Sequence, residues 1–259
     1  MNQQYRQKIE EINQPSYNNA TIEMNTVYKE QKATLNAYHG LIALIYLHYS
    51  INGLLAVKGA VKRAILNEVN SELDKIYKDL GDIEEKTDRL ILSAQYQDLY
   101  NQTSKVTNGM LNKRLSIPKL SPTQIDKAVN TPIDGELFSS RIWKNKEDLV
   151  NKLKKCLDEI LKGKITIDQA GKEIENIFGV TAYESKRLLE TELSRIGTQA
   201  SIDTCKLLGI KKHMWSATFE NTCKECIALD GTVFDIEDKK APSIPKHPSC
   251  RCVFIPWIE

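Results

Sequence analysis

Neither sign of charge dominates this chain: 36 Lys and Arg stand against 34 Asp and Glu, a formal net charge of +2. No large uniform field therefore draws the protein onto nucleic acid or an anionic membrane, and any such contact must be local. Sulfur and imidazole are scarce too, with six cysteines and four histidines in 259 residues. The N-terminal MNQQYRQKIEEINQ lacks the basic-then-apolar order of a secretion signal, and its early acids do not suit a transit peptide. Synthesis in a reducing cytoplasm is the expectation, and there closely spaced cysteines hold metal more readily than they form disulfides. His-x-Glu and His-Glu-x-x-His elements, a glycine-rich phosphate loop and a Gly-x-Ser-x-Gly turn are all missing, which removes the commonest motif-borne enzyme classes. What is present, 41% hydrophobic and 27% charged residues, excludes disorder for the chain as a whole.

Long hydrophobic runs are absent with one exception. Ala33 to Val57, ATLNAYHGLIALIYLHYSINGLLAV, carries no formal charge and is long enough to cross a bilayer. Asn36, His39, His48, Ser50 and Asn52 would all need polar partners in hydrocarbon, and Gly40 and Gly53 weaken the helix. A helix packed on other helices or on a partner subunit is expected there, and a membrane span is not.

Proline is missing from Thr21 to Val106, where apolar residues recur at helical spacing, as in Val61, Ile65, Val69, Leu73, Ile76 and Tyr77. Two or three antiparallel helices are predicted, interrupted at Gly53, Gly59 and Gly81. NGMLNKRLSIPKLSP, at 108–122, is the best boundary between domains. Ser121, Pro122 and Gln124 then read as a helix start, because the serine hydroxyl can accept the free amide three residues on. Further helices are predicted from Ser139 or Ser140 to Ile160, from Ile167 to Phe178 ending at Gly179, and from a capping box at Thr181 and Glu184 to Gly209. The last of these has an apolar stripe, Leu189, Leu193, Ile196, Ala200 and Leu207, opposite a face of small or polar residues from Arg187 to Cys205 that suits a close neighbour or a binding surface. Beyond Gly209 the period changes to that of strands, in IKKHMWSATF, GTVFD and CVFIPWI. The fold class expected is mainly α: an extended helical N-terminal region over 1–120, a helical core domain over 121–208, and a small zinc-stapled β module over 209–259.

The helix after Ser139 and its exit carry Arg141, Lys144, Lys146, Lys152, Lys154, Lys155, Lys162 and Lys164 against Glu147, Asp148, Asp158 and Glu159. A solvated face explains this surplus, and so does contact with phosphate backbones, which needs clustered cations and no base readout. Arg141, Lys144, Lys152, Lys155, Lys162 and Lys164 are the candidate DNA contacts.

The C-terminal module has few apolar residues to bury, so a staple is called for on physical grounds. Four of the six cysteines and one of the four histidines lie in TCKECIALDG and HPSCRC. Cys223 and Cys226 form a Cys-x-x-Cys knuckle. Cys250 and Cys252, two apart on a predicted strand, share a face, and His247 is a fifth donor. Soft thiolates favour zinc over magnesium or calcium. A closed structural zinc site is the first reading. A redox pair is less favoured because Cys-x-x-Cys is not expected to open a helix after a strand, and disulfides and free thiols are the remaining alternatives. Were His247 and two cysteines the ligands, water could take the fourth place, with Glu220, Glu225 or Asp230 as base.

RIWKN at Arg141 to Asn145, RLLETE at Arg187 to Glu192, TCKECIALDG at Thr222 to Gly231 and HPSCRC at His247 to Cys252 resemble, in order, the phage head morphogenesis family, the minor head proteins related to the F protein of phage Mu. The resemblance runs from about Thr131 to Pro256. It implies a virion protein of few copies, associated with the portal, with capsid proteins as partners, a ring or multi-copy assembly, and contact with packaged DNA without sequence specificity. It carries a ligand-type motif onto Cys223, Cys226, His247, Cys250 and Cys252, and no catalytic residues, so no enzyme is expected. The stretch from Asp235 to Pro245 departs from the family by being short and lysine-rich. Competing expectations are a zinc-dependent nucleic-acid-binding regulator and a zinc hydrolase or toxin-like enzyme, the latter weakened by the seven residues that follow Cys252.

Overall fold

Residues spaced three and four apart along most of the chain bury one helical stripe each, and helices dominate the computed structural model, which describes residues 3–217, 222–238 and 240–258. Among them are α1 (Gln3–Glu23), α2 (Asn25–Tyr49), α3 (Gly59–Met110), α4 (Pro122–Val129), α5 (Phe138–Leu161), α6 (Ile167–Leu208) and α7 (Lys224–Leu229). Five short strands complete the set: β1 (Ser50–Ile51), β2 (Leu54–Leu55), β3 (Lys212–Ser216), β4 (Val233–Asp235) and β5 (Val253–Pro256). The described residues are mainly helical, as the periodicity predicts, with the expected C-terminal sheet and a second, two-stranded one at Ser50–Leu55 that was not expected.

The chain divides into two compact units, each assembled from stretches distant in sequence. One comprises Met24–Thr87 and Ser139–Lys186. Its core is apolar: Val69, Leu73 and Leu80 from α3, Leu153 and Ile160 from α5, and Ile174 from α6 are all fully buried. Inside this unit Lys146 and Glu84 are also wholly buried and form an ion pair at 2.5 Å. The Ser185 hydroxyl donates to the same Glu84 oxygen at 2.7 Å, and the Gln31 amide donates to Ser185 at 3.2 Å. Lys146 therefore does not belong to the basic surface. The α5 periodicity puts it on the apolar side, where a carboxylate makes its burial tolerable.

The other unit comprises 1–23, 88–138 and 187–259. Its sheet has the order β4-β3-β5, antiparallel throughout, with Met214 opposite both Val233 and Ile255. Tyr5 and Ile9 of α1 bury against Met214, Val253 and Ile255, so this sheet is covered by the N-terminal helix. The Tyr5 hydroxyl is in hydrogen-bond contact with Thr107 at 2.9 Å, and Ser104 with Thr204 at 2.8 Å.

Several boundaries differ from expectation. Gly53 lies in the β1–β2 turn with φ 78° and Gly59 opens α3 with φ 58°, but Gly81 does not interrupt its helix. A Cβ at Gly81 would fall 2.2 Å from the Trp143 ring, so glycine is there to admit an indole. The predicted break at Gly179 is also absent, because α6 continues to Leu208. Thr181 is buried and its hydroxyl donates to the Ile177 carbonyl at 3.0 Å, a bond made inside a helix rather than at its start. The capping box at Ser121 and Gln124 forms as predicted. Ala33 to Val57 is not one span: it runs through the end of α2 into the hairpin, and no helix among the described residues is long and apolar enough to cross a membrane.

Candidate metal centre

The cysteine cluster is built where two loops of the C-terminal segment meet. Cys223 caps the N-terminus of α7, its sulfur accepting the Cys226 amide at 3.4 Å. The Cys-x-x-Cys pair therefore does open a helix, contrary to the expectation used to disfavour redox chemistry. Those amides hold the Cys223 thiol below its ordinary value, the Cys226 amide most of all. One helical turn later Cys226 is fully buried.

Cys250 and Cys252 precede β5 rather than lying on it, since the strand starts at Val253. A turn closed by the Cys250 amide on the His247 carbonyl, at 3.1 Å, sets them in place, and Ser249 supports it with a positive φ of 56°. Helix α6 holds this turn from outside. Thr191 accepts the Ser249 amide at 2.8 Å, Ser194 donates to the Cys252 carbonyl at 2.8 Å, and Arg251 donates to Glu190 at 2.7 Å. Arg251 also lies over the Tyr17 ring, 5.1 Å from its centre. The small polar face of α6 is thus a cradle for the cysteine turn, and three residues that sequence reasoning did not single out for the site, Glu190, Thr191 and Ser194, orient it. Their signal was the run of small polar residues opposite the apolar stripe.

The five donors converge as two triads that share Cys226: Cys223, Cys226 and His247, and Cys226, Cys250 and Cys252, with the donor atoms of each triad within 4.8 Å of one another. His247 Nδ1 lies 2.9 Å from the Pro248 carbonyl, which can only accept, so Nδ1 carries the proton. In the neutral ring Nε2 then carries the lone pair, 3.5 Å from the Cys226 sulfur. That is the tautomer a metal ligand needs.

The electrostatics of the donors suit a cation ligand. Hydrogen bonding from Cys252 lowers the Cys250 thiol well below the usual value, while Cys252 is raised by donating that bond and by burial. Burial likewise pushes Cys226 up to about 12. Packed this tightly, four thiols cannot all ionise unless a cation joins them. Trp215, Ile244 and Phe254 bury against Cys226, Cys250 and Cys252. Cys226, Cys250 and Cys252 are thus part of the module's buried packing as well as its donors.

A hollow of about 270 Å³ adjoins the cluster, lined by Glu190, Thr222, His247, Ser249 and Arg251 among others. Of the bases considered from sequence, Glu220 lies outside the described residues. Glu225 is exposed and 3.5 Å from Lys246. Asp230 accepts two bonds from Arg6 and one from the Ala217 amide. Neither Glu225 nor Asp230 lines the hollow.

The candidate DNA contacts lie elsewhere, on α5 and its exit. At about 100° per residue, Arg141, Lys144, Lys152 and Lys155 fall on one arc of the helix, interrupted by Asp148 and Glu159, and Lys162 follows the last helical residue. Lys144, Lys152, Lys155 and Lys164 are exposed, and Lys162 is paired with Asp158 at 2.5 Å.

Comparison with known proteins places this arrangement. Residues 151–255 match the family described as "Phage Mu protein F like protein". All five donors and the α6 cradle fall inside the match, and the resemblance read from RLLETE, TCKECIALDG and HPSCRC is thereby shown over that segment. The chain is also similar to "NAD(+)--arginine ADP-ribosyltransferase EFV" of Enterococcus faecalis, 25% identical over 166 residues, covering 57% of this chain. It spans only 34% of that relative's length. No solved structure matches the chain.

Proposed function

We propose that the protein is a structural minor head component of a tailed phage or prophage, acting in head assembly at the portal, with its C-terminal module stapled by zinc. The observation that carries this is the coincidence of the family match with the donor cluster: residues 151–255 contain Cys223, Cys226, His247, Cys250 and Cys252. Zinc fits the donor set, since four thiolates and one imidazole offer soft ligands and no carboxylate enters either triad. Cys226 belongs to both triads and would be a ligand in any arrangement, with three of the other four completing the shell. Bound there, the ion would neutralise the thiolates and supply folding energy to the β module. The role is structural: the acids near the cluster are engaged in ion pairs, and the ADP-ribosyltransferase activity belongs to a relative of which this chain spans a third.

The α5 face adds modest affinity for packaged DNA through phosphate contacts alone, because Asp148 and Glu159 among its cations leave only a local surplus. Portal and capsid proteins are the principal partners, in an assembly of several copies, and the location is the virion. Mass spectrometry of density-purified heads tests this: the protein is expected in heads from wild-type lysates and depleted from heads made with Cys226→Ser. A protein found only in the unassembled fraction, with or without the substitution, refutes it.

A further inference from the structure

The uncharged stretch from Ala33 to Val57 is only half used by the core. Tyr38, Ile42, Ile45, Tyr46 and Leu55 are buried. Leu44, Leu47, Tyr49, Ile51 and Leu54 are exposed, Leu47 to 78% and Ile51 to 65%. Ile51 and Leu54 face each other across a hairpin of two residue pairs whose turn, Asn52 and Gly53, has φ of 51° and 78°. Two pairs give such a hairpin little stability of its own, and in water its apolar side chains gain nothing by pointing outward.

Cations from two other segments stand beside this tip. Lys58, Lys62 and Arg63 follow it into α3, and Lys162 and Lys164 lie in the turn after α5. The parts are adjacent. The Leu55 carbonyl lies 2.8 Å from the place a Cβ would take at Gly163, and the Tyr46 hydroxyl donates to the Ile165 carbonyl at 2.8 Å. Lys62, Lys162 and Lys164 all act on Asp158. Over 44–64 and 158–168 the sequence carries five cations against three anions, Asp158, Glu159 and Asp168.

We infer that this end of the unit is a membrane-surface element that takes an anionic phospholipid bilayer as its partner. The apolar tip enters the boundary of the acyl region while the ammonium and guanidinium groups meet lipid phosphates. It lies on the bilayer and does not cross it. Two copies meeting through the same patch would bring like-charged rims together, which disfavours self-association as the cover. DNA has no use for the apolar tip.

Sedimentation of the full chain with vesicles tests this. Binding is expected to phosphatidylglycerol-containing vesicles, roughly tenfold weaker or less to phosphatidylcholine alone, and reversed by salt. Leu47→Asp with Ile51→Asp is expected to lower partitioning about tenfold without changing the circular dichroism, and Lys58→Glu with Lys164→Glu to remove the preference for anionic lipid. The comparison of the two vesicle types stands on the wild-type protein alone should a variant misfold. Equal binding to both vesicle types overturns the inference. So does the absence of binding, binding that the tip variants leave intact, or a dimer that those variants abolish.

Discussion

Replacing Lys146 by Met probes the most demanding polar contact in the fold. The ammonium and the Glu84 carboxylate are both fully buried and 2.5 Å apart, with Ser185 as the carboxylate's other donor. The second carboxylate oxygen has no hydrogen-bond partner among the described residues. Lys146→Met leaves that carboxylate buried with a single hydroxyl donor, and breaking a buried pair from one side costs about 3–5 kcal/mol. A domain's stability totals about 5–15 kcal/mol, so this loss is a large part of it and lowers the melting temperature by about 10 °C. The double variant Lys146→Met, Glu84→Leu removes both charges and recovers most of the loss, giving a coupling of about 2 kcal/mol or more. Urea unfolding of the four proteins of this cycle, followed by circular dichroism, measures it. A single variant that costs less than about 1 kcal/mol, or losses that simply add, refutes the role assigned to the pair.

His213 is buried, stacked on Phe254 at 3.7 Å, and neither ring nitrogen has a partner among the described residues. Burial lowers its pKa from 6.5 to about 4, so below pH 6.5 the unfolded chain takes up a proton that the folded protein refuses. Stability is thus full above pH 6.5 and falls between there and pH 4 by about 3 kcal/mol. His213→Phe should flatten that slope in unfolding midpoints measured across the range, and an unchanged slope contradicts the assignment. Gly81→Ala gains up to about 1 kcal/mol of helix propensity but overlaps the Trp143 ring, for a net loss of about 1–3 kcal/mol. Denaturant midpoints decide it, and a stabilised variant means that the indole moves at little cost.

The parts of the fold set by local chemistry were legible in the sequence. The Ser121 capping box, the strands after Gly209 and the grouping of five metal-type donors each depend on residues close together in the chain. What was not legible depends on neighbours from afar. Gly81 and Thr181 look like breaks until Trp143 and the buried run through Ile174 and Phe178 are seen to hold those helices. Lys146 looks like one more surface cation until Glu84, sixty-two residues away, is placed against it. At the site, pattern alone predicted convergence, whereas the Thr191 and Ser194 bonds that fix the turn cross 58 residues of sequence. Cys223 was misplaced for a simpler reason: six helical residues are too few to show a period.

The proposed staple is a cation that joins the two triads around Cys226. Elemental analysis of protein purified under reducing conditions, with near-ultraviolet circular dichroism of the buried Trp215 before and after chelation, tests it directly. Stoichiometric zinc, and loss of the aromatic signal when it is removed, is the predicted result. Protein that carries no metal and keeps that signal in chelator contradicts it.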